Sequence, residues 1–252
     1  MRLFETRPGD DGLPGPERLL AVLALVTGTL MAVVDTTMIN LALPTLAADL
    51  GVSPSRAVWI TNLFQVVCAA FLLVFAGVSE LITRRRLYLL GLATFVMAAL
   101  GAALSRNLET LLVFRALQGL GAAATLSIGP SLYRAIFPSR LLGSALGLSA
   151  LVVAGGYAAG PTLSGVILSF ADWPWLFALN VPLGLCSLWL ARRALPKETP
   201  RQGGFDTLGA LYSMLMLASF FIAMDAVGHA APLWQSGGWG LLAVVGCALF
   251  VR

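Results

Sequence analysis

Charge is what this chain has least of. Asp, Glu, Lys and Arg make up only 11% of its 252 residues against 58% hydrophobic, and the mean hydropathy is +0.88. Soluble domains carry about a quarter charged residues, so a water-soluble fold is excluded. Histidine occurs once, at His229, too few for a histidine-built metal centre. No HExxH, GxSxG or Walker loop is present to carry hydrolytic or phosphoryl chemistry. An enzyme is therefore not indicated, and no cofactor or metal is expected. Cys68, Cys186 and Cys247 lie singly in apolar stretches with no CxxC pair, which argues against a disulfide framework. The net charge of +4 and pI near 9.3 do not signal nucleic acid. The basic residues sit between apolar runs and form no stripe on a polar helix.

What is present is a succession of apolar runs near the ~20 residues that span a bilayer. There are eight: Leu19–Leu43, Ala57–Ser79, Leu87–Leu104, Leu111–Leu132, Leu141–Phe170, Trp173–Ala191, Leu208–Val227 and the short Gly237–Val251. They are continuous and do not alternate polar with apolar residues, so they read as helices and not barrel strands. The expected fold is all-α and polytopic, with the lipid bilayer as solvent. The first run is too long for a signal peptide and carries Asp35.

Loops on the N-terminal side hold Arg2, Arg7, Arg18, Arg84, Arg85, Arg86, Arg134, Arg140, Arg192, Arg193, Lys197 and Arg201, whereas the opposite loops hold Arg56 and Arg106. The positive-inside rule then places the N-terminus in the cytoplasm, in a bacterial-type inner membrane. Trp59, Trp173, Trp175, Trp234 and Trp239 fall at the opposite interface, as an aromatic belt predicts. Residues 1–18, rich in Pro, Gly and Asp, read as a mobile cytoplasmic tail. Residues 192–206, with Pro196, Pro200, Gly203 and Gly204, read as a cytoplasmic linker between a six-helix unit at 19–191 and two further helices at 207–252.

Inside these spans two ionisable groups stand out, Asp35 in the first and Arg115 in the fourth. Such groups are expensive in a membrane and mark pathways for ions or solutes. At ~1.5 Å per residue Asp35 lies ~25 Å from Arg18, and Arg115 lies ~9 Å from Glu109 at the other face. In a core of ~30 Å both then share a depth within one helical turn and are placed to pair. Asn40 follows Asp35 by five residues, ~140° around the helix, and needs a partner or cavity of its own. Asn40, Gln118, Tyr157 and the soft side chain of Met38 are candidates to line a substrate cavity, although each also suits ordinary helix packing. In the fifth span Gly156, Gly160 and Ser164 recur at four-residue spacing beside Pro161, with Gly165 following. A static seam and a moving, kinked interface are equally compatible with that pattern. Asp225 falls near the outer end of the seventh span and reads as interfacial, and His229 reads as a loop residue.

Taken together these segments resemble the major facilitator superfamily, and within it the drug:proton antiporters of the fourteen-helix branch. The run Asp35-Thr36-Thr37-Met38-Ile39-Asn40-Leu41-Ala42-Leu43-Pro44 is similar to that branch's first-helix signature. Arg115, Gln118, Gly119 and Gly121 resemble the fourth-helix motif, and Gly156 to Gly165 the fifth-helix antiporter motif. Trp173-Pro174-Trp175-Leu176-Phe177-Ala178-Leu179-Asn180-Val181-Pro182-Leu183-Gly184 resembles the sixth-helix opening, and Phe205-Asp206-Thr207-Leu208-Gly209 the start of the seventh. The loop Gly77 to Arg86 departs from the family: Thr83 stands where a turn glycine is expected and Leu81 where a basic residue is usual. Ser164 and Pro174 replace a glycine and an arginine.

The resemblance implies a proton-coupled exporter of lipophilic, by preference cationic, compounds. Asp35 and Arg115 would couple to protons, Glu80, Arg85 and Arg86 would form a cytoplasmic gate, and Gly156, Gly160, Pro161 and Gly165 would serve conformational change. Its partners would be a small-molecule substrate and protons. Members of the branch have two six-helix halves with two extra helices between them, so this chain corresponds to the first half and the extra pair. A separately encoded C-terminal half is one expectation; a non-transporting remnant, or a symporter or exchanger of another small organic solute, are the others.

Overall fold

The computed structural model describes residues 2–197, 206–228 and 232–250. Among these the chain is helical with short connections and no strand. Eight main helices follow in order: α1 (Gly15–Asp49), α2 (Trp59–Ile82), α3 (Arg84–Ala103), α4 (Leu108–Leu126), α5 (Leu142–Phe170), α6 (Asn180–Ala194), α7 (Thr207–Gly228) and α8 (Leu233–Phe250). Short helices Pro54–Ala57, Gly129–Ile136 and Pro174–Ala178 extend α2, α4 and α6. With these extensions seven helices are long and apolar enough to cross a membrane. The eighth apolar segment, Gly237–Leu249, is shorter, in keeping with the brevity of the last run.

Local chemistry sets several boundaries. Pro14 precedes α1 and a proline occupies its first turn, where the missing N–H costs nothing. Asn107 starts α4 by accepting a hydrogen bond from the Thr110 N–H at 2.9 Å. Between α2 and α3 a single residue, Thr83, turns the chain with φ +81° and ψ 143°, a conformation that glycine adopts far more easily. The family's glycine position is thus a positive-φ turn here, occupied by a β-branched residue.

α1 is central, packing on α5 along one side and α6 along another. α4 lies against α2 and α3, α3 closes on α6, and the α7–α8 hairpin rests on α2. Two apolar clusters result. One, towards the N-terminal end, includes Leu25, Leu92, Phe95, Leu132 and Phe137. The other, towards the opposite end, includes Met38, Ile39, Leu46, Ile60, Leu111 and Phe177.

The segment before α1, expected to be a mobile tail, makes polar contacts with the bundle. Arg18 is fully buried, and its guanidinium donates to the carbonyls of Leu3 (2.9 Å), Glu5 (3.4 Å) and Leu13 (2.8 Å) above the Phe137 ring. Asp10 grips Arg140 through both oxygens at 2.7 Å, and Asp11 accepts from the Ser139 N–H and hydroxyl. Gly12, at φ +97°, makes the turn that lets the Leu13 N–H reach the Ile136 carbonyl at 3.0 Å. A buried guanidinium must find acceptors, and the tail supplies them. Composition alone does not show that need.

Candidate functional site

Asp35 and Arg115 meet where the two apolar clusters join. Arg115 Nη1 lies 2.7 Å from Asp35 Oδ2, and both side chains are 0% exposed. Asp35 is the only buried carboxylate among the described residues. Its other oxygen, Oδ1, accepts from Asn180 Nδ2 at 2.7 Å and from Gln118 Nε2 at 3.5 Å. Arg115 also donates through Nε to the Ile60 carbonyl (2.9 Å) and through Nη1 to Gln118 Oε1 (2.9 Å). Its guanidinium stacks over Phe64 at 4.4 Å and lies 5.7 Å from Phe177, while Nη2 is buried with no hydrogen-bond partner. The site therefore draws on α1, α4 and α6, with α2 contributing a carbonyl and a ring.

Small residues carry Arg115 into that position. A Cβ at Gly119 would meet the Phe64 carbonyl at 2.7 Å, and one at Gly121 would meet the Gly91 carbonyl at 2.7 Å. Close approach of α2 and α3 on two sides of α4 therefore depends on these glycines. On α5, Gly156 abuts Val33, Gly160 abuts Thr37, and Ser164 Oγ donates to the Met38 carbonyl at 3.0 Å. The four-residue seam thus packs on the turns of α1 that flank Asp35.

A model of the Major Facilitator Superfamily matches residues 25–251. The chain belongs to the major facilitator superfamily. It is 38% identical over 244 residues to the uncharacterized transporter YebQ of Escherichia coli (strain K12), covering 96% of this chain and 53% of that protein. It is 32% identical over 219 residues to the methylenomycin A resistance protein of Bacillus subtilis (strain 168), covering 86% of this chain and 46% of that one. The chain spans about half the length of the curated relatives it matches. A bacterial homologue of the human lysosomal transporter Spinster, in an inward-facing and unoccupied conformation, superposes with a TM-score of 0.53 at 18% identity, over 94% of this chain and 58% of that one. That likeness supports the fold, a major facilitator six-helix bundle with two additional helices. The chain is thus a helical membrane protein of a family whose matched relatives are transporters.

Within this bundle several candidate residues lie away from the Asp35 site. Met38 is 1% exposed and packs in the apolar core. Asn40 is exposed on the far side of α1, and Tyr157 is 56% exposed. Gln118 is inside the cluster, bonded to Arg115 and near Asp35. Gly165 points into open space, one residue beyond the seam formed by Gly156, Gly160 and Ser164; Pro161 is exposed within a continuous α5. The gate residues do not converge. Glu80 and Arg86 are exposed, and Arg85 donates to the Arg192 carbonyl at 2.5 Å. Among the described residues no ion pair joins Glu80 to either arginine. Asp225, expected at an interface, accepts a hydrogen bond from Asn62 and so links α7 to α2. His229 and much of the linker, including Arg201 and Phe205, lie outside the described residues.

Asn180 was not singled out from the sequence, though a signal existed. It stands six residues into the span Pro174–Ala194, ~9 Å from its start at 1.5 Å per residue. That is the depth at which the same arithmetic places Arg115.

Proposed function

We propose that this chain forms the N-terminal half of a proton-coupled exporter of lipophilic small molecules, of the fourteen-helix drug:proton antiporter branch, with its N-terminus in the cytoplasm. The observation that carries the reading is the Asp35–Arg115 pair, fully buried and central, with no other buried carboxylate among the described residues. A buried ion pair adds little stability over an apolar replacement, which favours a functional reason for it. The resistance protein among the relatives agrees with export.

The geometry suits a protonation switch. A proton taken at Asp35 Oδ2 removes the charge that holds Arg115 Nη1, whereas Oδ1, as the carbonyl oxygen of the neutral acid, keeps the hydrogen bond from Asn180. Arg115 then keeps Gln118, the Ile60 carbonyl and the two rings. α4 is thereby released from α1, and the cation is left with neutral acceptors and rings alone, a cost that favours movement of Arg115 once Asp35 is protonated. The small-residue seam on α5 would let α1 shift against it. Protons reach Asp35 only if the packing around it opens, which is the requirement for alternating access.

Asp35 is fully buried and engaged, so it does not meet a cationic ligand directly. Lipophilicity, more than positive charge, then defines the substrate class. Much of the α5 surface is exposed apolar side chain, Leu151, Val166 and Phe170 among it, the kind of face a second six-helix half would cover. Everted vesicles test the direction. Antiport predicts that an acidic lumen drives ligand inward with proton loss; ligand moving out with its protons would identify a symporter.

A further inference from the structure

A separate cavity of about 210 Å³ opens between α1, α3, α4 and α5, on the N-terminal side of Asp35. Five of its lining residues carry hydroxyls, Thr29, Tyr88, Thr125, Tyr133 and Ser149, and none carries a formal charge. Thr29 lies six residues from Asp35, ~9 Å along α1, so the cavity is not the ion-pair site.

Two of these hydroxyls are already committed. Tyr88 donates to the Ala24 carbonyl at 3.0 Å, and Thr125 bonds the carbonyls of Gly121 and Ala122 within its own helix. The other three are not. Tyr133 is 3% exposed, and its hydroxyl is buried without a hydrogen-bond partner, with Ser149 as its hydroxyl neighbour. Neither Thr29 nor Ser149 bonds a backbone carbonyl among the described residues. A buried donor left unpaired is costly, and a ligand acceptor that reaches it recovers that cost. A cation entering here would find no counter-charge.

We propose that this cavity is a ligand subsite for uncharged compounds that present a hydrogen-bond acceptor, such as a carbonyl, ether or ring nitrogen, to the Tyr133 hydroxyl. Its volume is below the ~300–1,000 Å³ of sites that enclose a drug-sized molecule, so it takes the acceptor-bearing end of one. The inference rests on the transporter reading above and narrows its substrate class.

The test is equilibrium binding to the full chain in lipid nanodiscs, with two probes. Chloramphenicol is neutral and bears an amide carbonyl; tetraphenylphosphonium is a permanent cation without an acceptor. The wild type is expected to bind chloramphenicol. Tyr133→Phe should weaken that binding about 5–10-fold, the worth of one neutral hydrogen bond, and leave tetraphenylphosphonium unchanged. Ser149→Ala should weaken chloramphenicol in the same direction but less. Tyr133→Phe removes only an unpaired hydroxyl, so its melting temperature should equal or exceed that of the wild type. The proposal is overturned if the wild type does not bind chloramphenicol, if Tyr133→Phe binds it as the wild type does, or if both probes weaken together. No proton gradient enters this assay, so its outcome is independent of whether Asp35 couples to protons.

Discussion

Replacing Thr83 with glycine is expected to stabilise the protein even though it removes a helix cap. Thr83 sits at φ +81°, ψ 143° between α2 and α3, and its hydroxyl accepts from the Arg86 N–H at 3.3 Å. A non-glycine residue held in such a region costs about 1–3 kcal/mol. Against that, exchanging a threonine cap for glycine costs a few tenths of a kcal/mol, and glycine's extra freedom in the unfolded chain costs about 0.4–1 kcal/mol. The balance is a gain of about 1 kcal/mol. For a unit of this size that raises the melting temperature by about 2–4 °C, readable by circular dichroism in detergent. Thr83→Ala is the control, because it keeps the Cβ strain and loses the hydroxyl, for a loss of about 1 kcal/mol. A Thr83→Gly protein that melts below the wild type, or a Thr83→Ala protein that melts above it, would refute the reasoning.

Other consequences follow from the same geometry. Asp35→Asn or Arg115→Met alone should each cost about 3–5 kcal/mol by stranding a buried charge, and the double substitution should cost clearly less than their sum in a detergent-titration unfolding cycle. Gly160→Val should cost about 1–3 kcal/mol by driving α5 off Thr37, and pairing it with Thr37→Ala should recover part of that loss in the same assay. The docked tail should respond to acid. The hydrogen bond from the Arg140 side chain, then the Arg7 N–H, holds the Asp10 carboxyl below its usual 3.8. A carboxylate whose folded value is depressed contributes fully above its unfolded value and loses that contribution as pH falls. Hydrogen exchange should therefore show residues 2–14 protected at neutral pH and released well below pH 3.8, and Asp10→Asn should release them already at neutral pH.

The parts legible in the sequence were those that depend on distance along a helix. Eight apolar runs fix the number of helices, and counting residues from Arg18 and Glu109 brings Asp35 and Arg115 to one depth, where the structure pairs them. Direction around the helix was less accessible. Asn40 was known to point away from Asp35, but whether it met a cavity depended on which helices flank α1, and it is exposed. Met38 falls on the α1 face that α5 and the opposite-end core cover, so a side chain suited to soft contacts is simply packed. Gly165 is one residue past Ser164, hence ~100° around the helix from the seam. Asn180 shared the right depth but lay 145 residues from Asp35 in sequence, and depth alone does not say which neighbours converge. The contacts of the tail were not legible for another reason: Arg18 marks a helix start in sequence, and only the folded packing shows that its guanidinium is buried and reaches Leu3, Glu5 and Leu13.

The central claim is that Asp35 carries the coupled proton. The most direct measurement is ligand transport in everted vesicles bearing the full reading frame, with Asp35→Asn compared with the wild type under an imposed pH gradient. The wild type should accumulate ligand against its concentration gradient and release protons as it does so. Asp35→Asn should lose uphill accumulation and proton release while still equilibrating ligand down its own gradient. Undiminished uphill transport by Asp35→Asn would contradict the account.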